Sequence, residues 1–155
     1  MFESLSMGRT GDYWWHPWRH IRHHHPHIGV DTTHRLPSGY RGLLTRAGIY
    51  LDCRLSQAGR RCTLGHEIVH LERGPVPDHP HFATLEEHAV NVITARRLIR
   101  LNHLVDALTW TQHPNELAEE LWVDTDTVTT RMQHLTTRER AYIESELAER
   151  QPWTV

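Results

Sequence analysis

The sequence has only two cysteines, Cys53 and Cys62, and they do not form a C-x-x-C pair. This argues against a secreted scaffold held together by disulfides. No stretch is apolar enough for a membrane span, and residues 1–15 lack the apolar core of a signal peptide. The net charge of −2 gives no overall bias toward nucleic acid or anionic membranes. We therefore expect a cytoplasmic protein that does not contact a membrane.

The chain is long enough for one compact core with a small appended subdomain. Hydrophobic residues make up 38% and charged residues 23% of it, which is typical of a soluble globular protein. Histidine is abundant, with 15 residues, and several of these lie in a Trp- and Arg-rich segment, residues 13–27.

Within this segment, we predict a short helix after Pro17 that ends before Pro26. Its tryptophans would cover the core, namely Trp14, Trp15 and Trp18. Its histidines would be solvated and able to bind metal ions at the surface, namely His23, His24, His25 and His27.

His66, Glu67 and His70 form the pattern H-E-x-x-H. On an α-helix, residues four apart lie one turn above each other, so the two imidazoles can face one metal ion. Glu67 would lie beside them, where it could take a proton from a water on that metal. Because 15 histidines make a chance match more common, the helix needs its own support.

That support comes from the residues around the motif. Leu64, Ile68 and Leu71 form one apolar stripe at helical spacing, and the two histidines fall roughly opposite it. Either Thr63 or Ser56 could cap the start, and Gly74 followed by a proline would end the helix. We predict a helix with one packed face and one face lining a cleft.

Short strands are predicted between residues 28 and 55. Residues 28–34 form a weak first strand, and residues 42–46 and 49–55 form a hairpin joined at Ala47-Gly48. The last strand alternates apolar with polar side chains, with Ile49, Leu51 and Cys53 on its buried face. We therefore predict a small antiparallel sheet, whose edge could hold an extended substrate by main-chain hydrogen bonds.

Residues 84–100 predict a second long helix. Its third-ligand candidate, Glu87, shares a partly polar face with Asn91. Thr84 and Glu87 also fit a capping box, in which the glutamate only caps its own helix, so the pattern leaves both roles open. The alternative ligands are Glu86, His88, His79 and His81, with Cys62 as an accessory candidate.

Residues 101–155 predict a helical subdomain in which residues 116–135 resemble a helix-turn-helix. Asp124 or Asp126 would cap its second helix, and Thr136 with Glu139 would form a capping box for a last helix. The apolar positions of the two helices and their turn are Leu117, Ala118, Leu121, Val123, Val128, Met132 and Leu135. Residues 116–135 carry a net charge of −4, which argues against DNA binding.

Together these motifs resemble the ImmA/IrrE family of zinc metallopeptidases. A strand, GIYLD, leads into the helix RRCTLGHEIVH, and a second helix, EHAVNVITARRLI, carries Glu87 and Asn91 at the family's E-x-x-x-N. The resemblance covers roughly residues 36–100. It differs at Val69, usually a small residue, and at the RLIR end of the second helix, which is commonly a leucine pair, Met and Pro.

The resemblance implies that His66, His70 and Glu87 bind Zn²⁺ and that Glu67 is the general base. It also implies a site-specific endopeptidase whose protein substrate is a regulator, such as a transcriptional repressor of a phage, mobile element or stress regulon. Four side chains are candidates to stabilise the oxyanion: Tyr40, Tyr50, His79 and His81.

We therefore expect an α+β fold with two parts. Residues 1–100 would form a zincin-like metallopeptidase core, in which the small antiparallel sheet packs on the two ligand-bearing helices. Residues 101–155 would form the helix-turn-helix-like subdomain. The alternative function is a non-catalytic regulator that binds a repressor or DNA through its C-terminal helices. Its zinc would be structural, with Cys62 or His79 as a fourth ligand.

Overall fold

The structure, a computed structural model, describes residues 13–150. Helix α1 (Pro17–His24) precedes a three-stranded sheet of β1 (Val30–Asp31), β2 (Gly42–Thr45) and β3 (Gly48–Leu51). The helices that follow are α2 (Gln57–Arg73), α3 (Pro80–Leu98), α4 (Leu101–Leu108), α5 (Pro114–Leu121), α6 (Thr125–Gln133) and α7 (Thr137–Arg150). The α+β class is confirmed, with helix dominating.

Two predictions concern the ends and the membrane. Residues 1–12, on which the absence of a signal peptide largely depends, lie outside the described residues. Among residues 13–150, no helix combines the length and the apolar character that crossing a membrane requires.

The sheet is mixed, so the prediction of an antiparallel sheet is wrong for one pair. β3 lies in the middle, antiparallel to β2 and parallel to β1. After β1, residues 32–41 carry the chain to the far edge before the hairpin returns it to the centre, which makes β1 and β3 run the same way. β2 is therefore an edge strand with one unpaired side.

β3 is shorter than predicted because Asp52 starts a turn. Its carboxylate accepts hydrogen bonds from the backbone N–H of Leu36 at 2.9 Å and from the backbone and guanidinium of Arg54. These bonds from Arg54, ahead of the one from Leu36, hold the pKa of Asp52 well below its usual range. Cys53 follows in the turn and is exposed, so its predicted place on the buried face is wrong.

Helix α2 forms as predicted around the H-E-x-x-H pattern. Ser56 is the cap, because its Oγ accepts a hydrogen bond from the Gly59 N–H at 3.1 Å. Gly74 ends the helix with a φ of 94°, a conformation that glycine adopts readily. Leu64 and Ile68 are fully buried, which confirms that the apolar stripe faces the core.

Helix α3 begins earlier than predicted. Pro80 occupies its first turn and His79 is the cap, so Thr84 lies inside the helix and donates a hydrogen bond to the Pro80 carbonyl. The predicted Thr84–Glu87 capping box is therefore absent. Leu85, near the start of α3, is 52% exposed, because the first turns of α3 extend beyond the core.

The C-terminal helices agree with the predicted helix-turn-helix order. The turn between α5 and α6 begins at Trp122, whose φ of 56° is left-handed. Asp124 caps α6 through the Thr127 N–H. Thr136 and Glu139 form the predicted reciprocal capping box, each accepting a hydrogen bond from the other's backbone.

One core joins the sheet, α1, α2 and the C-terminal helices. Its buried members run from Trp15 through Leu64 and Leu104 to Ile143. Trp14 packs against this core, whereas Trp18 is exposed, so the prediction for Trp18 is wrong. The boundary at residue 100 stays a prediction from sequence pattern.

Candidate metal centre

Two helices bring three potential metal ligands together. His66 and His70 lie one turn apart on α2, and their Nε2 atoms are 3.1 Å apart. α3 packs against α2 and places Glu87 opposite them, with its carboxylate oxygens 2.8 Å from His70 Nε2 and 3.4 Å from His66 Nε2. Ligands bound tetrahedrally to zinc at ordinary lengths are about 3.3 Å apart. The two Nε2 atoms and the Glu87 carboxylate are therefore close enough together to hold a single metal ion.

The histidines are less accessible than the glutamate. The His70 side chain is 10% exposed and that of His66 24%, whereas the Glu87 side chain is 48% exposed. Burial first, then the neighbouring His70, lower the pKa of His66, and Glu87 opposes this change. A largely neutral His66 keeps a lone pair available for a metal ion.

The surroundings of the His66 and His70 rings differ. The Asn91 side chain, one turn after Glu87, lines the same cleft as His66 and opposes the lowering of its pKa. Among the described residues, the buried His70 Nδ1 has no hydrogen-bond partner. The orientation of His70 therefore depends on its place in α2 and on Glu87.

The alternative ligands have other partners. Glu86 pairs with Arg73, and the His88 ring contacts that of His134. Nδ1 of His79 accepts a hydrogen bond from the His81 N–H at the start of α3. Cys62 is buried, as expected of a free thiol, and its Sγ accepts a hydrogen bond from the Asp124 N–H. Within residues 13–150, these side chains are not part of the His66–His70–Glu87 group.

Glu67 faces the edge strand β2 beside the metal ligands. It is 7% exposed, and burial, followed by the negative charge of Glu87, raises its pKa to about 7. Gly42 of β2 lies directly against it: a Cβ there would be 2.6 Å from Thr63 Cγ2 and 2.9 Å from Glu67 Oε1. A glycine is therefore needed for β2 to approach α2 this closely.

The three candidate metal ligands line a cleft of about 950 Å³. One wall is β2 with the preceding Tyr40 and Arg41, the floor is α2, and α3 supplies Asn91 and Thr94. The remaining wall is α6, the second helix of the helix-turn-helix, through Asp126, Thr127 and Thr130. Arg41 crosses the end of the cleft to Asp124 at 2.8 Å.

Only one candidate for stabilising an oxyanion reaches this cleft among the described residues. Tyr40 lines it, whereas Tyr50 packs against His34, and His79 and His81 lie at the start of α3 outside its lining. Among residues 13–150, His79, His81 and Tyr50 are therefore not in the lining of the cleft that contains Glu67.

Sequence reasoning missed two features of the molecule. The first is the wall formed by α6, since no local pattern shows which side of a helix-turn-helix faces another element. The second is a separate group of His20, His25 and Glu72 on the other side of α2. The histidine-rich segment was a signal for it, but Glu72 is 52 residues from His20 and has no pattern that links them.

Comparisons with models of protein families, with curated proteins and with solved structures gave no match for this chain. The evidence for a function is therefore the chemistry of the site itself. Its chemistry comprises two imidazoles and a carboxylate around one point, a buried carboxyl with a raised pKa beside them, and an open cleft along an edge strand.

Proposed function

We propose that this protein is a zinc-dependent endopeptidase that cuts a protein substrate in the cleft between β2 and α6. The observation that carries the proposal is the convergence of His66, His70 and Glu87 beside a buried Glu67. Two helices that are separate in sequence supply this set, which supports a site rather than a chance histidine pattern.

The donor set fits zinc. Two imidazole nitrogens and a carboxylate oxygen are the protein ligands of many catalytic zinc sites, which keep one position open. Bound there, zinc would supply Lewis acidity that activates water and polarises a peptide carbonyl. A structural site would need a fourth protein ligand, and Cys62 and His79, the two candidates, both have other partners.

Glu67 would be the general base. Burial and the negative charge of Glu87 raise the pKa of Glu67 and so favour its protonated carboxyl. A nearby cation would instead favour the carboxylate, which can accept a proton from water. The same carboxyl can then return that proton to the leaving amine, since Glu67 lines the cleft in which the peptide would bind.

The substrate would bind as an extended strand along β2. The unpaired side of β2 offers backbone N–H and C=O groups, and Gly42 brings that backbone next to Glu67. A peptide held there by main-chain hydrogen bonds would pass the metal ligands with a carbonyl available for attack. Tyr40, beside β2, is the candidate donor to the oxyanion.

The wall formed by α6 supports a selective protease. A substrate has to enter between β2 and α6, which narrows the range of chains that can reach His66 and Glu67. The family resemblance suggests a regulatory protein such as a transcriptional repressor. DNA binding by α6 is disfavoured, because one side of this helix packs on α3 and its Asp126 lies in the cleft.

Zinc stoichiometry in the presence of a weak competing chelator tests the ligand set. We expect Glu87→Gln and His70→Ala to lose the tightly held zinc. The matched control is Glu86→Gln, which removes the neighbouring carboxylate that pairs with Arg73 and should leave zinc in place. Equal loss in Glu86→Gln and Glu87→Gln would contradict the proposed site.

Cleavage tests the reaction. The wild type and Glu67→Gln would be incubated with a mixed peptide library, and new termini identified by mass spectrometry. We expect Glu67→Gln to keep its zinc and to lose at least about 100-fold in cleavage rate, the usual contribution of a general base. A Glu67→Gln protein that cleaves at the wild-type rate would overturn the mechanism.

A further inference from the structure

A second group of metal-type ligands lies on the opposite side of α2 from the proposed active site. Glu72 follows His70 by two residues, a rotation of roughly 200° around the helix axis. Its carboxylate lies beside His20 on α1 and His25, the residue directly after α1. His20 and His25 are partly buried, and Glu72 lies at the surface.

The ligand atoms converge on one carboxylate oxygen. Glu72 Oε1 is 2.5 Å from His20 Nε2 and 3.6 Å from His25 Nε2. One ligand atom from each of the three residues lies within 4.8 Å of the other two. Because zinc ligands lie about 3.3 Å apart, an ion placed among them would require His20 Nε2 and Glu72 Oε1 to separate by about 0.8 Å.

The surroundings hold these side chains in place. Arg97 on α3 donates to the other oxygen, Glu72 Oε2, at 2.7 Å and lies 4.0 Å above the ring of Trp15. This leaves Oε1 directed at the histidines. His25 is fixed by its backbone, whose N–H donates to the Ile21 carbonyl.

We propose that His20, His25 and Glu72 form a second site for a divalent transition-metal ion such as Zn²⁺, separate from the His66–His70–Glu87 site. Two imidazoles and a carboxylate match the ligand preference of zinc and its neighbours rather than that of calcium or magnesium. The ion would join the end of α1 to the back of α2, the helix that carries the catalytic groups.

Arg97 makes this site weaker than the first. Its positive charge opposes a cation nearby. If His20 bound the ion through Nε2, its ring proton would lie on Nδ1. Nδ1 could then no longer accept a hydrogen bond from Arg97, which now lies 3.5 Å away. Arg97 keeps its bond to Glu72 and its position over Trp15, so the loss is confined to one long contact.

Zinc titration against a chromophoric chelator, with full-length protein, tests the proposal. We expect two equivalents of zinc for the wild type, one for His70→Ala, one for His25→Gln and none for the double variant. The control is His23→Ala, which removes an exposed histidine of the same segment that is not part of the group and should leave two.

Thermal unfolding supplies a second readout that does not depend on activity. Added zinc should raise the Tm of His70→Ala and have no effect on the His70→Ala/His25→Gln double variant. Glu72→Gln replaces His25→Gln if the latter does not fold. A single equivalent in the wild type that His25→Gln leaves in place, or equal loss in His23→Ala and His25→Gln, would overturn the second site. Failure of the first site alone would leave one equivalent that depends on His25.

Discussion

Replacing Gly42 with alanine should damage the proposed active site without removing a metal ligand. The added Cβ would lie 2.6 Å from Thr63 Cγ2, 2.9 Å from Glu67 Oε1 and 3.3 Å from Glu67 Cγ. Ordinary contacts between such atoms are about 3.5–4.0 Å, so the closest of these is short by about 1 Å. Either β2 moves away from α2 or Glu67 rotates, and overpacking of this kind costs about 1–3 kcal/mol.

The effect on cleavage should exceed the effect on folding. A catalytic group displaced by about 1 Å can lose roughly 100-fold in rate, and Glu67 is the group that the new methyl contacts. The three heavy atoms nearest to this methyl belong to Thr63 and Glu67 and not to His66, His70 or Glu87, so zinc stoichiometry should stay at the wild-type value. The assays are urea unfolding, zinc content and the rate of peptide cleavage.

Gly29→Ala is the matched control for Gly42→Ala. Gly29 lies just before β1, and a Cβ there would have no heavy atom within 4 Å. We expect wild-type stability, zinc content and activity from this variant. If Gly42→Ala folds, binds zinc and cleaves at the wild-type rate, then the contact between β2 and Glu67 has no catalytic importance and the reasoning is refuted.

Two further predictions concern the dependence of stability on pH. In the metal-free protein the raised pKa of Glu67 means that stability falls as pH rises from 4.5 through about 7. Glu67→Gln should therefore be the more stable protein at pH 8, by up to about 3 kcal/mol, and equal at pH 4. Equal urea midpoints at pH 8 would contradict this. Burial alone would raise the pKa of Glu139, but hydrogen bonds, of which that from Arg131 has the largest effect, lower it to about 2. The contribution of Glu139 to the free energy of unfolding is therefore present above pH 4.5 and lost as pH falls toward 2. Glu139→Gln removes the charged partner of the buried Arg131 and should lower the free energy of unfolding by about 3 kcal/mol at pH 7. Urea unfolding should show that this difference shrinks below pH 4.5.

Local patterns predicted the elements that depend on near neighbours in sequence. The cap of α2 at Ser56, its end at Gly74 and the capping box of Thr136 with Glu139 each involve groups within a few residues of each other. The hairpin of β2 and β3 is likewise a local structure. In these places the sequence contains the whole interaction.

Features that depend on distant pairing were predicted less well. The parallel pairing of β1 with β3 follows from the path of residues 32–41, which no periodicity shows. The start of α3 at Pro80 differs from the predicted start at residue 84 because His79, the cap, is an uncommon residue at that position. That error produced the competing interpretation of Glu87 as a cap.

The position of α6 shows why the candidate site cannot be understood from residues 36–100 alone. Arg131 of α6 is 3% exposed and donates to the Ile99 carbonyl, so this helix is attached to the end of α3 through a buried charge. Arg96 of α3 adds a hydrogen bond to the His134 carbonyl, just after α6.

These bonds place Thr127 and Thr130 across the cleft from β2. The H-E-x-x-H helix and Glu87 would supply the groups for the proposed chemistry, but the C-terminal helices shape the cleft above them. Under the proposed function, the choice of substrate would therefore depend on α6 as much as on β2, even though α6 contributes no residue to the group that could hold a metal ion.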